Sequence, residues 1–305
     1  MKRKVIKQGN GTLTITLPKQ WTKEVGLTGN DEVEITEKGR ELTIISESER
    51  ESSKIKIDLT DIKSDRSIKW ILSSLHKSGF DEIEVVYKEP KILKIIQGEI
   101  RETYTGFAIM EQSLKRIVLR SISKDSYDEF ESSLRRAFQV TLALADSLAE
   151  RMKNKNFSNI DDLIALEKSN NQFTNFCERL LIKRRYEIPE KTSFKYIIVW
   201  NIEKVCDLYK DICNYINDKN IKSLSKEMIQ LYMGVLSFFR NFYNLIYKFD
   251  LNRFDEIIME EKRISSKLDD YKPKKSYEHK LIHLFEDIVE RTMNFSGALI
   301  ALNTS

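Results

Sequence analysis

The distribution of glycine constrains this chain more than any other feature. Eight of its ten glycines (Gly9, Gly11, Gly26, Gly29, Gly39, Gly79, Gly98 and Gly106) fall in the first 106 residues, and only Gly234 and Gly297 follow. Glycine marks tight turns and strand connections and is costly inside helices. The front of the chain is therefore expected to alternate strands, turns and short helices, and the back to consist of long helices. At 305 residues the chain exceeds one ordinary core, so two or three domains are expected.

Met1–Ser48 alternates like β structure. Val5-Ile6 leads into Gly9-Asn10-Gly11, a turn signal, after which Leu13, Ile15 and Leu17 alternate with Thr12, Thr14 and Thr16. Pro18 ends that strand, and Lys19–Val25 reads as a short helix closed by Gly26. Strands Glu32–Thr36 and Glu41–Ser46 flank a Lys38-Gly39 turn. So short a segment, with so few large apolar side chains, lacks an adequate core of its own, and a second copy of itself is the simplest partner. Residues 47–53 are polar and read as a linker. Residues 54–123 read as a small β-α-β-α-β-β layer, with strands Ile55–Leu59, Glu82–Tyr87, Phe107–Gln112 and Arg116–Ser121 and helices Ser67–Lys77 and Lys91–Glu102.

Residues 125–305 carry the 3.6-residue period of helices. Six are expected, over Tyr127–Lys153, Asn159–Tyr186, Thr192–Asn217, Leu224–Tyr247, Arg253–Leu268 and Tyr277–Leu302, with Ser126 and Ser158 as N-caps. Pro189 and Pro273 each stand in the connection before a third helix, which suggests two three-helix units in tandem. The aromatic run Tyr232, Phe238, Phe239, Phe242, Tyr243 and Tyr247 has helical spacing and is expected to be core.

The net charge of +4 is small, but its distribution is uneven. Lys2, Arg3, Lys4, Lys7, Lys19 and Lys23 precede the first carboxylate, Glu24. A local field of one sign attracts phosphate even on a nearly balanced chain. Lys2, Arg3, Lys4 and Lys7 are the expected DNA phosphate contacts, with Lys19 at the helix start and Asn10 in the turn beside them. Arg3 is the expected base reader, because its fork can pair bidentately with guanine. The alternative is a solvated basic edge that blocks strand aggregation.

No stretch approaches the roughly 20 apolar residues that span a bilayer, and the basic N-terminus lacks the apolar run of a signal peptide. A cytoplasmic protein without membrane insertion is expected. Cys177, Cys206 and Cys213 form no CxxC pair and are expected to be reduced, packed helix residues. No catalytic arrangement is recognisable around His76, His279 or His283, and there is no Walker loop and no GxGxxG, so no enzyme is expected. His76 is expected on a solvated helix face.

The text Lys4-Val-Ile-Lys-Gln-Gly-Asn-Gly-Thr-Leu-Thr-Ile-Thr-Leu-Pro-Lys-Gln-Trp21, followed by Gly26-Leu27-Thr28-Gly29-Asn30-Asp31-Glu32-Val33, resembles the SpoVT/AbrB/MazE swapped-hairpin family over nearly all of Met1–Ser48. Asn30, inserted between Gly29 and Asp31, departs from the family pattern and is expected to alter one loop. The resemblance implies a homodimer whose interleaved hairpins form a small β-barrel with paired basic surfaces facing DNA.

The helical half resembles the PhoU family, and more specifically archaeal PhoU-like regulators with the same N-terminal module. The resemblance rests on Ile202-Glu203-Lys204-Val205-Cys206-Asp207, on Val289-Glu290-Arg291-Thr292-Met293-Asn294, and on Leu134-Arg135-Arg136-Ala137-Phe138. It implies a divalent metal (iron, manganese or magnesium) held by Glu203, Asp207, Glu290 and Asn294. Asn294 stands where the family has aspartate, and Asn170-Asn171 occupy a region that usually holds an acid; each exchange removes a negative charge. Structural ion pairs are the alternative role for Glu203 and Asp207, which share one helix face at i and i+4.

The expected fold class is thus multidomain: a swapped-hairpin β-barrel module (1–48), an α/β middle layer (54–123) and an all-α PhoU-like pair of three-helix bundles (125–305). The expected function is a dimeric DNA-binding transcriptional regulator of phosphate uptake or phosphate homeostasis, with a phosphate transporter ATPase or a signalling protein as a further partner. The alternatives are a modulator of a phosphate transporter complex that does not bind DNA, and a carboxylate-metal hydrolase.

Overall fold

The front of the chain turns at seven of its eight glycines, and Gly98 alone of them lies inside a helix. In this computed structural model, which describes residues 1–9, 11–46, 53–122, 127–183 and 189–304, β1 (Ile6–Gln8) and β2 (Thr12–Thr14) pair antiparallel, Ile6 opposite Thr14 and Gln8 opposite Thr12. Gly9 and Gly11 bound the turn at positive φ, where side chains are strained; Asn10 lies outside the described residues. Strand β2 stops at Thr14, short of Ile15 and Leu17. Helix α1 (Lys19–Glu24) ends as its glycine foretells, with the Leu27 amide donating to the Thr22 carbonyl at 2.8 Å across left-handed Gly26. Strands β3 (Val33–Lys38) and β4 (Glu41–Ser46) form a second antiparallel hairpin, turned at Gly39.

Met1–Ser53 and Lys54–Ser305 are two compact units. The first has no interior: none of its described residues is buried, and Leu13, at 66% exposed, and Ile6, Ile35 and Leu42 all present apolar surface.

The second unit begins with β5 (Lys54–Asp58), α2 (Asp65–Lys77), β6 (Glu82–Val86), α3 (Pro90–Glu102), β7 (Phe107–Gln112) and β8 (Arg116–Ser121). The sheet runs in the order β5-β6-β8-β7, with β5 and β6 parallel and the other pairs antiparallel. One face is apolar, and Ile83, Val85, Ile117 and Leu119 form a core with Ile68 and Leu72 of α2 and Ile92 and Ile96 of α3. The alternate residues form two ladders of charge across the strands. Glu82 bridges Lys54 (3.4 Å) and Arg120 (2.6 Å), while Glu84 bridges Lys56 (2.9 Å) and Arg116 (3.2 Å). Strand alternation and cross-strand pairing produce both faces at once.

The rest is helical: α4 (Tyr127–Asn154), α5 (Asp161–Lys183), α6 (Pro189–Asp218), α7 (Lys226–Tyr247), α8 (Leu251–Asp270), α9 (Ser276–Met293) and α10 (Ser296–Asn303). Their shared core includes Tyr232, Phe238, Phe239 and Phe242, all buried, with Tyr243 packed at its margin. Cys177, Cys206 and Cys213 are free and buried. No described helix is long and apolar enough to cross a membrane.

Four local expectations are corrected. The last helix is not continuous to Leu302: α9 stops at Met293 and α10 begins at Ser296. Pro189 is not in a connection but opens α6 as its first residue, where its missing N–H costs no intrahelical bond. Ser158 does not cap α5, because that helix starts three residues later and the Ser158 hydroxyl donates to Asn156 Oδ1 at 2.6 Å. His76 is not solvated. It is fully buried in α2, its ring stacked on Tyr104 at 4.6 Å. Ser126, the other expected cap, lies outside the described residues.

His76 marks where the α/β layer docks on α5. Arg179, fully buried, donates to the carbonyls of His76 (3.2 Å) and Phe80 (2.7 Å) and to Asp81 (3.1 Å). Lys183 also pairs with Asp81, and Lys77 pairs with Glu178 at 3.1 Å. A cation thereby meets the carbonyl end of α2, where the helix dipole favours it. Burial first, and then the Arg179 charge, hold the His76 imidazole down at about 3, against an opposing contribution from the Thr105 backbone.

Candidate nucleic-acid interface

The six basic residues that precede Glu24 lie on the surface of the first unit. Lys2, Arg3, Lys4 and Lys7 are exposed along the N-terminal arm and β1, and Lys7 is paired in register with Leu13 of β2. Lys19 is the first residue of α1 and Lys23 lies in its last turn. Among the described residues none of the six pairs with a carboxylate, so their field is not cancelled locally. Asn10, expected beside them, lies outside the described residues.

The first two acids of the sequence are hydrogen-bonded to other residues. Glu24 accepts from Gln20 Nε2 at 2.9 Å. Asp31 accepts from the Thr28 amide (2.6 Å) and hydroxyl (2.9 Å), and the backbone bond first, then the hydroxyl, lowers its pKa. The inserted Asn30 sits inside this turn at φ 87, a conformation asparagine tolerates better than most side chains. The departure from the family pattern is absorbed there.

The metal-type residues of the helical half are differently placed. Glu203 and Asp207 face Lys204 at 3.4 and 3.3 Å, and Lys210 bridges Asp207 (2.7 Å) to Glu167 (2.9 Å). Burial by itself would lower Lys210; its bonds to Asp207 and Glu167 outweigh that and raise it. Glu290 and Asn294 are exposed on α9 and at its C-cap. Among the described residues no three His, Cys, Asp or Glu side chains are grouped to hold a metal ion. Asn170 is buried and donates to the Ala137 carbonyl (3.1 Å) and Thr141 Oγ1 (3.0 Å), a helix-to-helix tie.

Sequence reasoning missed Glu167, Glu178 and Arg179, which lie on α5 at near-helical spacing among apolar residues. Charges inside an apolar stripe were the available signal. Glu178 is almost fully buried, and burial raises its pKa despite Lys77.

Residues 6–52 match the family described as antidote-toxin recognition MazE, bacterial antitoxin. The N-terminal unit carries a MazE-type domain. The matched span includes β1 to β4 and α1, and takes in Lys7 and Lys19 but not Lys2, Arg3 or Lys4. No curated protein and no solved structure matches the chain.

Proposed function

We propose that this chain is a DNA-binding transcriptional regulator that dimerises through its MazE-type domain. The observation that carries the reading is the conjunction, on one small domain, of six cations without a carboxylate partner and a set of apolar side chains without cover. Two interleaved copies would cover the apolar set and double the cations. The protein is read as cytoplasmic and non-enzymatic, with the helical half receiving a signal or a partner.

Control of phosphate uptake is the finer reading. It is supported by the Glu203–Asp207 and Glu290–Asn294 motifs and the tandem helices, through their resemblance to PhoU proteins. A transporter ATPase or signalling partner and a divalent ion at those residues belong to the same proposal. A second reading, an antitoxin that binds a toxin protein, is favoured by the description of the matched family.

A gel shift across a salt series tests the central claim. Each neutralised phosphate adds roughly 0.9 to the slope of log affinity against log salt, so Lys4→Ala with Lys7→Ala should lower the slope by about 2 per chain. No DNA binding at low salt would remove the regulator reading. Mapping the DNA bound across a genome at high and low phosphate tests the finer one.

A further inference from the structure

We propose that the α/β layer carries a second DNA-binding surface, at the adjoining N-terminal ends of α2 and α3, where Lys63, Arg66, Lys88 and Lys94 engage the phosphate backbone. The inference rests on the DNA-binding reading above and adds a surface outside the matched domain.

The two helix starts are held together by Lys91, whose Nζ donates to the Lys63 carbonyl at 3.2 Å. Lys91 also gathers acids of this end, lying 3.6 Å from Asp65 and 3.5 Å from Glu89. Those two carboxylates are therefore already engaged. Lys63, Arg66, Lys88 and Lys94 are exposed and have no carboxylate partner among the described residues, and the opposing charges are Asp61 in the β5–α2 connection and Asp58 at the end of β5, which accepts from Thr60. Two helices of 13 residues each begin here, so their positive ends add to the same field.

Trp70 gives the patch its second character. It is 63% exposed on α2, and the Arg66 guanidinium lies over its ring at 4.5 Å. The ring attracts the cation and steadies a long side chain without using a carboxylate, so the arginine keeps its charge for an outside anion. Arginine is also the cation that can grip a phosphate with two parallel bonds. Cations without carboxylate partners, at the paired starts of two helices, fit a polyanion with regular phosphates better than a mixed-charge protein surface.

The test compares the full chain with a variant carrying Lys63→Gln, Arg66→Gln, Lys88→Gln and Lys94→Gln. All four positions are exposed, so thermal unfolding should be unchanged. Affinity is measured across a salt series on mixed-sequence duplexes of about one and about four helical turns. The expected result is a salt slope on the long duplex lower by roughly 0.9 for each phosphate that the variant no longer neutralises, with the short duplex unaffected. Trp70→Ala should give part of the same decrease by releasing Arg66. Equal slopes for wild type and variant on both duplexes would overturn the second surface and leave the first in place. Binding of the variant weakened only toward an acidic probe such as poly-glutamate would assign the patch to an acidic protein instead. Absence of any DNA binding by the wild type would remove both readings together.

Discussion

The guanidinium of Arg179 on α5 donates to the carbonyl of His76 near the end of α2, 103 residues earlier in the chain. With Phe80 and Asp81 it closes the α2–β6 turn against the helical half. Replacing it with methionine should cost about 3–5 kcal/mol, because Asp81 and two carbonyls lose a buried partner. Lysine should not restore the stability, since it lacks the planar fork that reaches several acceptors. Urea unfolding of the two variants measures this, and a cost within experimental error for Arg179→Met would refute it.

His76 should make the protein acid-sensitive. Its folded value near 3 lies below the ordinary 6.5, so only the unfolded chain takes up the proton on first acidification. The stability is fully present above pH 6.5 and declines as pH falls toward 3. By pH 5 the decrease from this group is about 2 kcal/mol. His76→Phe, which keeps the stack on Tyr104, should lose that much less between pH 7.5 and pH 5. Equal losses in both proteins would show that another group is responsible.

Gly79 is required at the same junction. It has φ +84, and an added Cβ would stand 2.8 Å from Lys183 Cγ. Gly79→Ala should therefore cost about 1–2 kcal/mol through backbone strain alone and displace Lys183 from Asp81. Amide exchange over residues 76–81 should accelerate in this variant; unchanged protection would argue against it.

The first unit predicts a different phenotype. Leu13→Glu places a charge within apolar surface that is open in the single chain. Sedimentation should show monomer where the parent is a dimer, with the helical signal retained because the second unit has its own cores. A variant that remains dimeric would dissociate this strand from self-association.

What is legible in the sequence follows from how local each cause is. Glycine positions and period-two alternation act over a few residues, and β4, β7 and β8 stand where the pattern puts them, with Gly26, Gly39 and the hairpins in place. The residues that decide tertiary docking carry no local sign. His76 lies within Leu-His-Lys at the end of an amphipathic helix, and only the arrival of Tyr104 and Arg179 from later in the chain buries it. The break after Met293 is also non-local in origin, since Phe295, buried between Phe138 and Phe242, interrupts a sequence whose helical period continues. The cations of the N-terminal arm are visible because a run without acids can be counted directly. Those of the α/β layer are not, because Asp65 and Glu89 balance the count until their bridges to Lys91 are seen.

A first unit in which no described residue is buried ties the proposed activity to how much protein a cell contains. A hairpin that gains its interior only from a second chain folds in proportion to the square of the chain concentration when dilute. Halving the amount of protein would then reduce the competent species roughly fourfold, while the second unit remains folded in every copy. Abundance itself would set a threshold, below which the chain persists as an intact receiver without its paired hairpins.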